Sequence, residues 1–62
     1  MKSSELLRIL RRDGWYVKRE GKGSHKILIH PIKNGEIIYP DHGSAEIAIG
    51  LQRRILKQAG LL

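Results

Sequence analysis

The centre of the chain has the sequence Gly21-Lys22-Gly23-Ser24-His25-Lys26-Ile27-Leu28-Ile29. Glycines and a serine around a single lysine are typical of a tight turn, and the apolar run that follows is typical of a β-strand. The stretch therefore predicts a hairpin turn and then a strand over residues 24–30, with the imidazole of His25 near the start of that strand. Pro31 ends the strand, because proline has no N–H to donate to a sheet ladder.

A further strand is expected on either side of this one. Residues 15–19 are rich in aromatic and β-branched side chains, which strands favour. Asn34-Gly35 predicts a two-residue hairpin turn, because both residues tolerate positive φ angles, and a third strand follows over 36–39. In a hairpin of that length, Lys33 and Glu36 would face each other as a pair of opposite charges.

A helix is predicted before the sheet. Ser3 or Ser4 is expected to cap its N-terminus through a side-chain oxygen. Leu6 and Leu10 lie on one face of that helix because they are four residues apart. Gly14 suits the left-handed residue with which such a helix ends.

A second helix is predicted after the sheet. Ser44 is expected to cap a short helical turn over 44–49, and the main helix begins near Gly50, since glycine disfavours a helix interior. Gly60 ends that helix, with Leu61 folding back as the apolar contact that accompanies such an ending.

The predicted element order is α-β-β-β-α. Short turns between consecutive strands make a three-stranded antiparallel sheet, and two helices with apolar stripes must bury those stripes on one face of it. We therefore expect an α+β two-layer sandwich. The other face of the sheet is left open or is covered by a partner.

The chain is short and strongly basic. Its 62 residues include 12 Lys and Arg against 6 Asp and Glu, which gives a formal net charge of +6. Such a charge favours nucleic acid, an anionic membrane surface or an acidic protein as a partner, and nucleic acid is preferred because the cations recur across several segments. The sequence has no cysteine, no apolar leader segment and no apolar run of the roughly 20 residues that span a bilayer. We expect one cytoplasmic domain over residues 1–62.

His25 is the strongest candidate for chemistry, because histidine is the side chain best suited to exchange a proton near neutral pH. An acid–base group among cations suggests a phosphodiester substrate. Lys22 and Lys26 flank the histidine and are the first candidates for phosphate contacts, although either one alone is equally well explained as a solvated lysine. The other candidate RNA contacts are Ser24, Lys18 and Arg19.

The remaining histidines have weaker claims. His42 is a candidate second acid–base group or RNA contact, or else a loop residue that hydrogen-bonds its own turn. His30 is five residues from His25, so on a regular strand the two side chains point to opposite faces and do not share a metal ion. Since the sequence also lacks cysteine, we expect neither a metal site nor a cofactor.

Several short motifs, in order along the whole chain, resemble the HicA family of toxin mRNA interferases. They are Met1–Leu7, Asp13-Gly14-Trp15, Gly23-Ser24-His25, Pro40-Asp41-His42 and Ile55–Leu61. The resemblance implies a fold similar to that of double-stranded-RNA-binding domains and cleavage of mRNA without the ribosome. It also implies one catalytic histidine, which corresponds to His25, and neutralisation by a HicB antitoxin.

Two other hypotheses remain open beside the ribonuclease toxin. One is a non-catalytic RNA-binding module of similar fold, and the other is an adaptor that binds only protein. If His25 lies on the open face of the sheet, we expect Ile27 and Ile29 to be exposed with it, as an apolar patch on which an antitoxin docks. If His25 lies at the rim of the helix-covered face, that surface is absent.

Overall fold

The computed structural model describes residues 1–23 and 25–62. Its elements are α1 (Ser3–Asp13), β1 (Tyr16–Glu20), β2 (His25–Ile29), β3 (Ile37–Pro40) and α2 (Ile49–Gln58). The strands form one antiparallel sheet in the order β1-β2-β3. This is the predicted α+β arrangement, and it resembles a double-stranded-RNA-binding domain. Neither helix in the described ranges is long and apolar enough to cross a membrane.

The core lies between the helices and one face of the sheet. α1 contributes Leu6 and Leu10, whose four-residue spacing places both on the buried side. Each buried leucine of this kind stabilises the fold by roughly 1.5–3 kcal/mol relative to an exposed one. The other members of the cluster are Trp15, Leu28, Ile37, Tyr39, Ile47, Ile55 and Ala59.

Both helices end in the same hydrogen-bond pattern, as the glycines predict. Gly14 has φ +117° and donates its N–H to the Arg11 carbonyl, while Trp15 donates to the Leu10 carbonyl. Gly60 has φ +74°, and the N–H groups of residues 60 and 61 bond the carbonyls of residues 57 and 56. These are Schellman endings, in which two otherwise unpaired helix carbonyls are satisfied.

The predicted serine caps are wrong at both helix starts. Lys2 occupies the N-cap position of α1, and its N–H donates to the Glu5 carboxylate at 3.1 Å. The N–H groups of Ser3 and Ser4 instead donate to carbonyls in the loop that precedes α2, at 2.9 and 2.8 Å. The helical turn expected over 44–49 does not form, because the carbonyls of residues 43 and 45 accept these hydrogen bonds from α1.

Ser3 is a buried junction between α1 and the end of β3. Its hydroxyl donates to the Pro40 carbonyl at 3.0 Å and accepts the His42 N–H at 3.2 Å. The Tyr39 hydroxyl donates to the backbone carbonyl of Ser3. Burial raises the pKa of Tyr39, so its hydroxyl stays protonated as a donor. The residues that follow β3 are therefore fixed to the start of the chain.

The two-residue hairpin expected at Asn34-Gly35 does not form. β2 ends at residue 29 and β3 begins at residue 37, so a longer segment joins them. The expected pair is absent from the described residues, because Lys33 reaches the Asp13 carboxylate at 2.6 Å and the Ala59 carbonyl at 2.8 Å. Lys33 thus joins the C-terminal ends of both helices.

Candidate active site

His25 is the first residue of β2, and its side chain is exposed. The backbone around it is fixed: its N–H donates to the Lys22 carbonyl at 3.1 Å, and its carbonyl accepts the Gly21 N–H at 2.8 Å. Gly23 has φ +61° in this turn, a conformation that glycine adopts without steric cost. Ser24 lies outside the described residues. His25 therefore presents an accessible imidazole from a backbone that is hydrogen-bonded to Gly21 and Lys22.

The imidazole lies on the helix-free face of the sheet. Side chains alternate along a strand, and the next residue but one, Ile27, is not part of the core cluster that Leu28 joins. Ile27 pairs with Arg19 on β1 and with Ile38 on β3, so these side chains share the face of His25. We call this surface the open face.

A β-bulge brings two consecutive cations to the open face. The β1–β2 register shifts between Val17 and Arg19, which leaves Lys18 as the extra residue. The Lys18 ammonium lies 3.2 Å from the carboxylate of Glu36, which precedes β3, so the side chain crosses β2 on the open face. Lys18 and Arg19 therefore both lie on the imidazole's face, whereas a regular strand would turn one of them to the helices. Arg19 is opposite Ile27, the next open-face residue after His25, while the Lys18 ammonium is directed to Glu36 at the other end of β2.

Lys26 lies on the opposite face. Its ammonium is 2.7 Å from the Asp41 carboxylate, and both side chains are about three-quarters buried. The hydrogen bond from Lys26 lowers the pKa of Asp41, and the same bond raises the pKa of Lys26, so both groups stay charged. The structure thus separates Lys26 from the imidazole, while Lys22 is exposed in the turn beside it.

His42 lies just beyond the end of β3. Pro40 is the register partner of His25, and His42 follows it by two residues. The side chain is exposed, and the backbone N–H is held by the buried Ser3 hydroxyl. His42 therefore lies at the same end of the sheet as the candidate catalytic imidazole.

His30 has a structural role on the helix side of the sheet. Its side chain is 6% exposed and meets the Trp15 ring edge-on, with centroids 5.2 Å apart. Nδ1 accepts the N–H groups of Ile32 and Lys33, each at 3.0 Å, so the hydrogen on Nε2 donates to the Asp13 carbonyl at 2.8 Å. This confirms that His25 and His30 point to opposite faces.

Within residues 1–23 and 25–62 no three His, Cys, Asp or Glu side chains cluster as metal ligands.

Residues 3–61 of this chain match the sequence profile of a family described as the HicA toxin of bacterial toxin–antitoxin systems. The chain belongs to the HicA toxin family. A relative from Pseudomonas fluorescens (strain Pf0-1), named "Probable mRNA interferase HicA", is 43% identical over 63 residues. That alignment covers 98% of this chain and 97% of the relative.

The apolar part of the open face differs from the expectation. In this HicA-family chain Ile27 is only 8% exposed and Ile29 is half-buried. The exposed apolar side chains are instead Ile38, at 64%, and Tyr16, at 48%, on the two outer strands. The central strand is covered by its neighbours on both sides, among them the Lys18 side chain, and the outer strands are not.

Two features of the site were missed at the level of sequence. The bulge at Lys18 was not predicted, since residues 16–20 are two apolar residues followed by three charged ones and no alternation marks one of them as the extra residue. The Ser3 junction was missed because a serine before an apolar run indicates a helix cap, whereas the hydroxyl is used by the far end of the sheet.

Proposed function

We propose that this chain is the toxin of a type II toxin–antitoxin pair and acts in the cytoplasm as a ribosome-independent mRNA endoribonuclease, with His25 as its acid–base residue. The observation that carries the proposal is the exposed imidazole on an open face that also holds Lys18 and Arg19. Membership of the HicA toxin family and the name of the Pseudomonas fluorescens relative support the toxin and mRNA interferase part of the proposal.

The chemistry uses groups of the chain, the RNA and water. The His25 imidazole takes the proton of a ribose 2′-hydroxyl, and the resulting oxygen attacks the adjacent phosphorus. The bond from phosphorus to the 5′-oxygen then breaks, which leaves a 2′,3′-cyclic phosphate and a 5′-hydroxyl. The departing oxygen takes its proton from water, from a lysine or from His42. General base catalysis of this kind contributes roughly 10²–10⁴-fold.

The cations of the open face stabilise the charge that develops on phosphorus. Arg19 lies on the imidazole's own face, opposite Ile27, and Lys22 is exposed in the adjoining turn, while the Lys18 ammonium on the same face is paired with Glu36 at 3.2 Å. Fixed positive groups near a forming phosphorane lower its energy more than mobile water does. Ser24 is proposed as a further RNA contact because it directly precedes His25 in the sequence. Lys26 would contact RNA from the other face of the sheet.

A HicB-type antitoxin is proposed to cover the open face. The exposed side chains of Tyr16 and Ile38 give that face an apolar element, and its lysines and arginine attract an acidic partner. Protein bound there would block the approach of RNA to His25.

The test is cleavage of a defined mRNA by the purified protein, without ribosomes and with a chelator present. We expect His25→Ala to lose at least about 100-fold in rate while keeping its fold, because the side chain is exposed. The matched substrate control replaces the cleaved nucleotide by its 2′-deoxy analogue, which must resist cleavage.

Equal cleavage by the His25→Ala protein, cleavage of the deoxy substrate or loss of activity on chelation would each contradict the mechanism. Salt-dependent RNA binding by the wild type without any cleavage would identify the non-catalytic RNA-binding module instead. Neither binding nor cleavage would identify the protein adaptor.

A further inference from the structure

A groove lies on the helix side of the sheet, behind the open face. It has a volume of about 430 Å³ and runs between α1 and the ends of β2 and β3. Its lining residues are Ser4, Leu7, Arg8, Arg11, Lys26 and Asp41. We call it the α1 groove. Of its lining, the mechanism above uses only Lys26, as a possible RNA contact.

The α1 groove carries uncompensated positive charge. Its one carboxylate, on Asp41, is bound by Lys26 at 2.7 Å. Arg8 and Arg11 are exposed, and neither forms an ion pair with any part of the chain that the structure describes. Glu20 lies opposite Lys26 in the sheet register but does not line the groove. Two guanidinium groups therefore remain available to an anionic ligand.

The groove begins where the candidate active site ends. Lys26 is the residue after His25 and points to the other face, while Asp41 follows Pro40, the register partner of His25. An extended single strand of RNA that passes His25 can therefore bend around this end of the sheet, over the β1–β2 turn that bears Lys22. It then enters the α1 groove. Arg8 and Arg11, three residues apart on one side of α1, then meet its phosphates.

We propose that the α1 groove binds the phosphodiester backbone of the RNA beyond the cleaved bond, with Arg8 and Arg11 as its phosphate contacts. The inference rests on the proposed ribonuclease function. Guanidinium groups bind phosphate oxygens through paired N–H donors, which suits them to this ligand. A protein partner fits less well, because protein interfaces have an apolar centre and Leu7 is the only large apolar side chain of the lining.

The test uses binding alone, so that it does not depend on catalysis. His25→Ala protein is titrated against a fluorescent single-stranded RNA at several salt concentrations. The groove variant adds Arg8→Gln and Arg11→Gln. The matched control adds Arg12→Gln and Arg53→Gln, which remove the same charge from exposed positions outside the groove. Thermal unfolding of all three proteins checks that each is folded.

We expect the groove variant to bind more weakly and to lower the slope of log K against log salt by about 1.4, for two lost contacts to a single strand. The control should change the slope by less than half as much. Equal slopes for the two variants, or an unchanged slope in the groove variant, would overturn the proposal and leave the groove to a protein partner. If the His25→Ala parent itself binds no RNA, the proposed function fails and not merely this site.

Discussion

The imidazole of His30 lies directly against the α-carbon of Gly14. A β-carbon added at Gly14 would be 2.7 Å from Nε2 of His30, which is closer than such atoms approach in real structures. The same Nε2 bonds the carbonyl of Asp13, so the ring cannot move away without losing that bond. The end of α1 therefore packs so closely against the residue after β2 that only glycine fits at position 14 without a shift.

Gly14→Ala should therefore destabilise the fold by more than its backbone conformation alone explains. Strain at a left-handed residue costs roughly 1–3 kcal/mol, and the contact with His30 adds to it. Gly35→Ala is the matched control, since its φ is +93° and nothing lies within 4 Å of the added carbon. Chemical denaturation measures both variants. Equal losses would show that the ring yields easily.

Ser3→Ala should lower the free energy of unfolding by about 1–2 kcal/mol, because it leaves the Pro40 carbonyl and the His42 N–H without their partner. Ser4→Ala removes an exposed hydroxyl from the next residue and should cost less than about 0.5 kcal/mol. Urea titration compares the two. If the two variants are equally stable, the buried junction does not hold the loop after β3.

The stability of the protein should fall in acid through Asp13. The hydrogen bond from Lys33 lowers the pKa of Asp13 below its ordinary value of 3.8. A carboxyl group whose pKa is lower in the folded state stabilises the fold above its unfolded pKa, and that contribution disappears as pH falls through the lower folded value. Asp41, whose pKa Lys26 lowers, adds a loss of the same sign.

Lys33→Met should accordingly lower the melting temperature at pH 7. The part of that loss that comes from Asp13 should disappear in acid, below both pKa values of Asp13, while the part from the Ala59 carbonyl remains. Lys57→Met removes the same charge from an exposed position of α2 and serves as control. Melting curves between pH 7 and pH 2 give the comparison. A penalty for Lys33→Met that is constant over this range would mean that the ion pair with Asp13 does not stabilise the fold.

Arg19→Gln should slow RNA cleavage by about tenfold, chiefly through kcat, because a cation on the imidazole's own face stabilises the charge on phosphorus. Arg12→Gln changes the net charge equally on α1 and should leave kcat within about twofold. Single-turnover rates at fixed salt separate the two. If the cleavage rate falls equally in both variants, Arg19 acts only through the general attraction of RNA to a positively charged protein.

Local patterns predicted much of the fold. The helix endings at Gly14 and Gly60 follow from glycine at the end of an apolar periodicity, and both appear as expected. The position of His25 at the start of β2 also follows from glycines that precede an apolar run, whereas the face of the sheet that carries it does not. These features depend on residues that are neighbours in sequence.

The errors arose where distant residues compete with a local preference. Asn34-Gly35 favours a tight hairpin, but Lys33 and His30 bind the ends of the helices and hold the segment open. Ser44 favours a helix start, but the carbonyls of its two neighbours accept hydrogen bonds from the first turn of α1. Neither competing contact can be recognised without the tertiary structure.

The extra residue at Lys18 also affects the rim of the sheet. β1 is an edge strand of the sheet. A regular edge strand has unpaired N–H and C=O groups, with which a strand of another copy of the chain can pair and so aggregate. The shifted register and two adjacent positive side chains make this rim a poor template. A single inserted residue thus both places a second cation on the open face and makes the edge of the sheet at β1 a poor site for pairing with another copy of the chain.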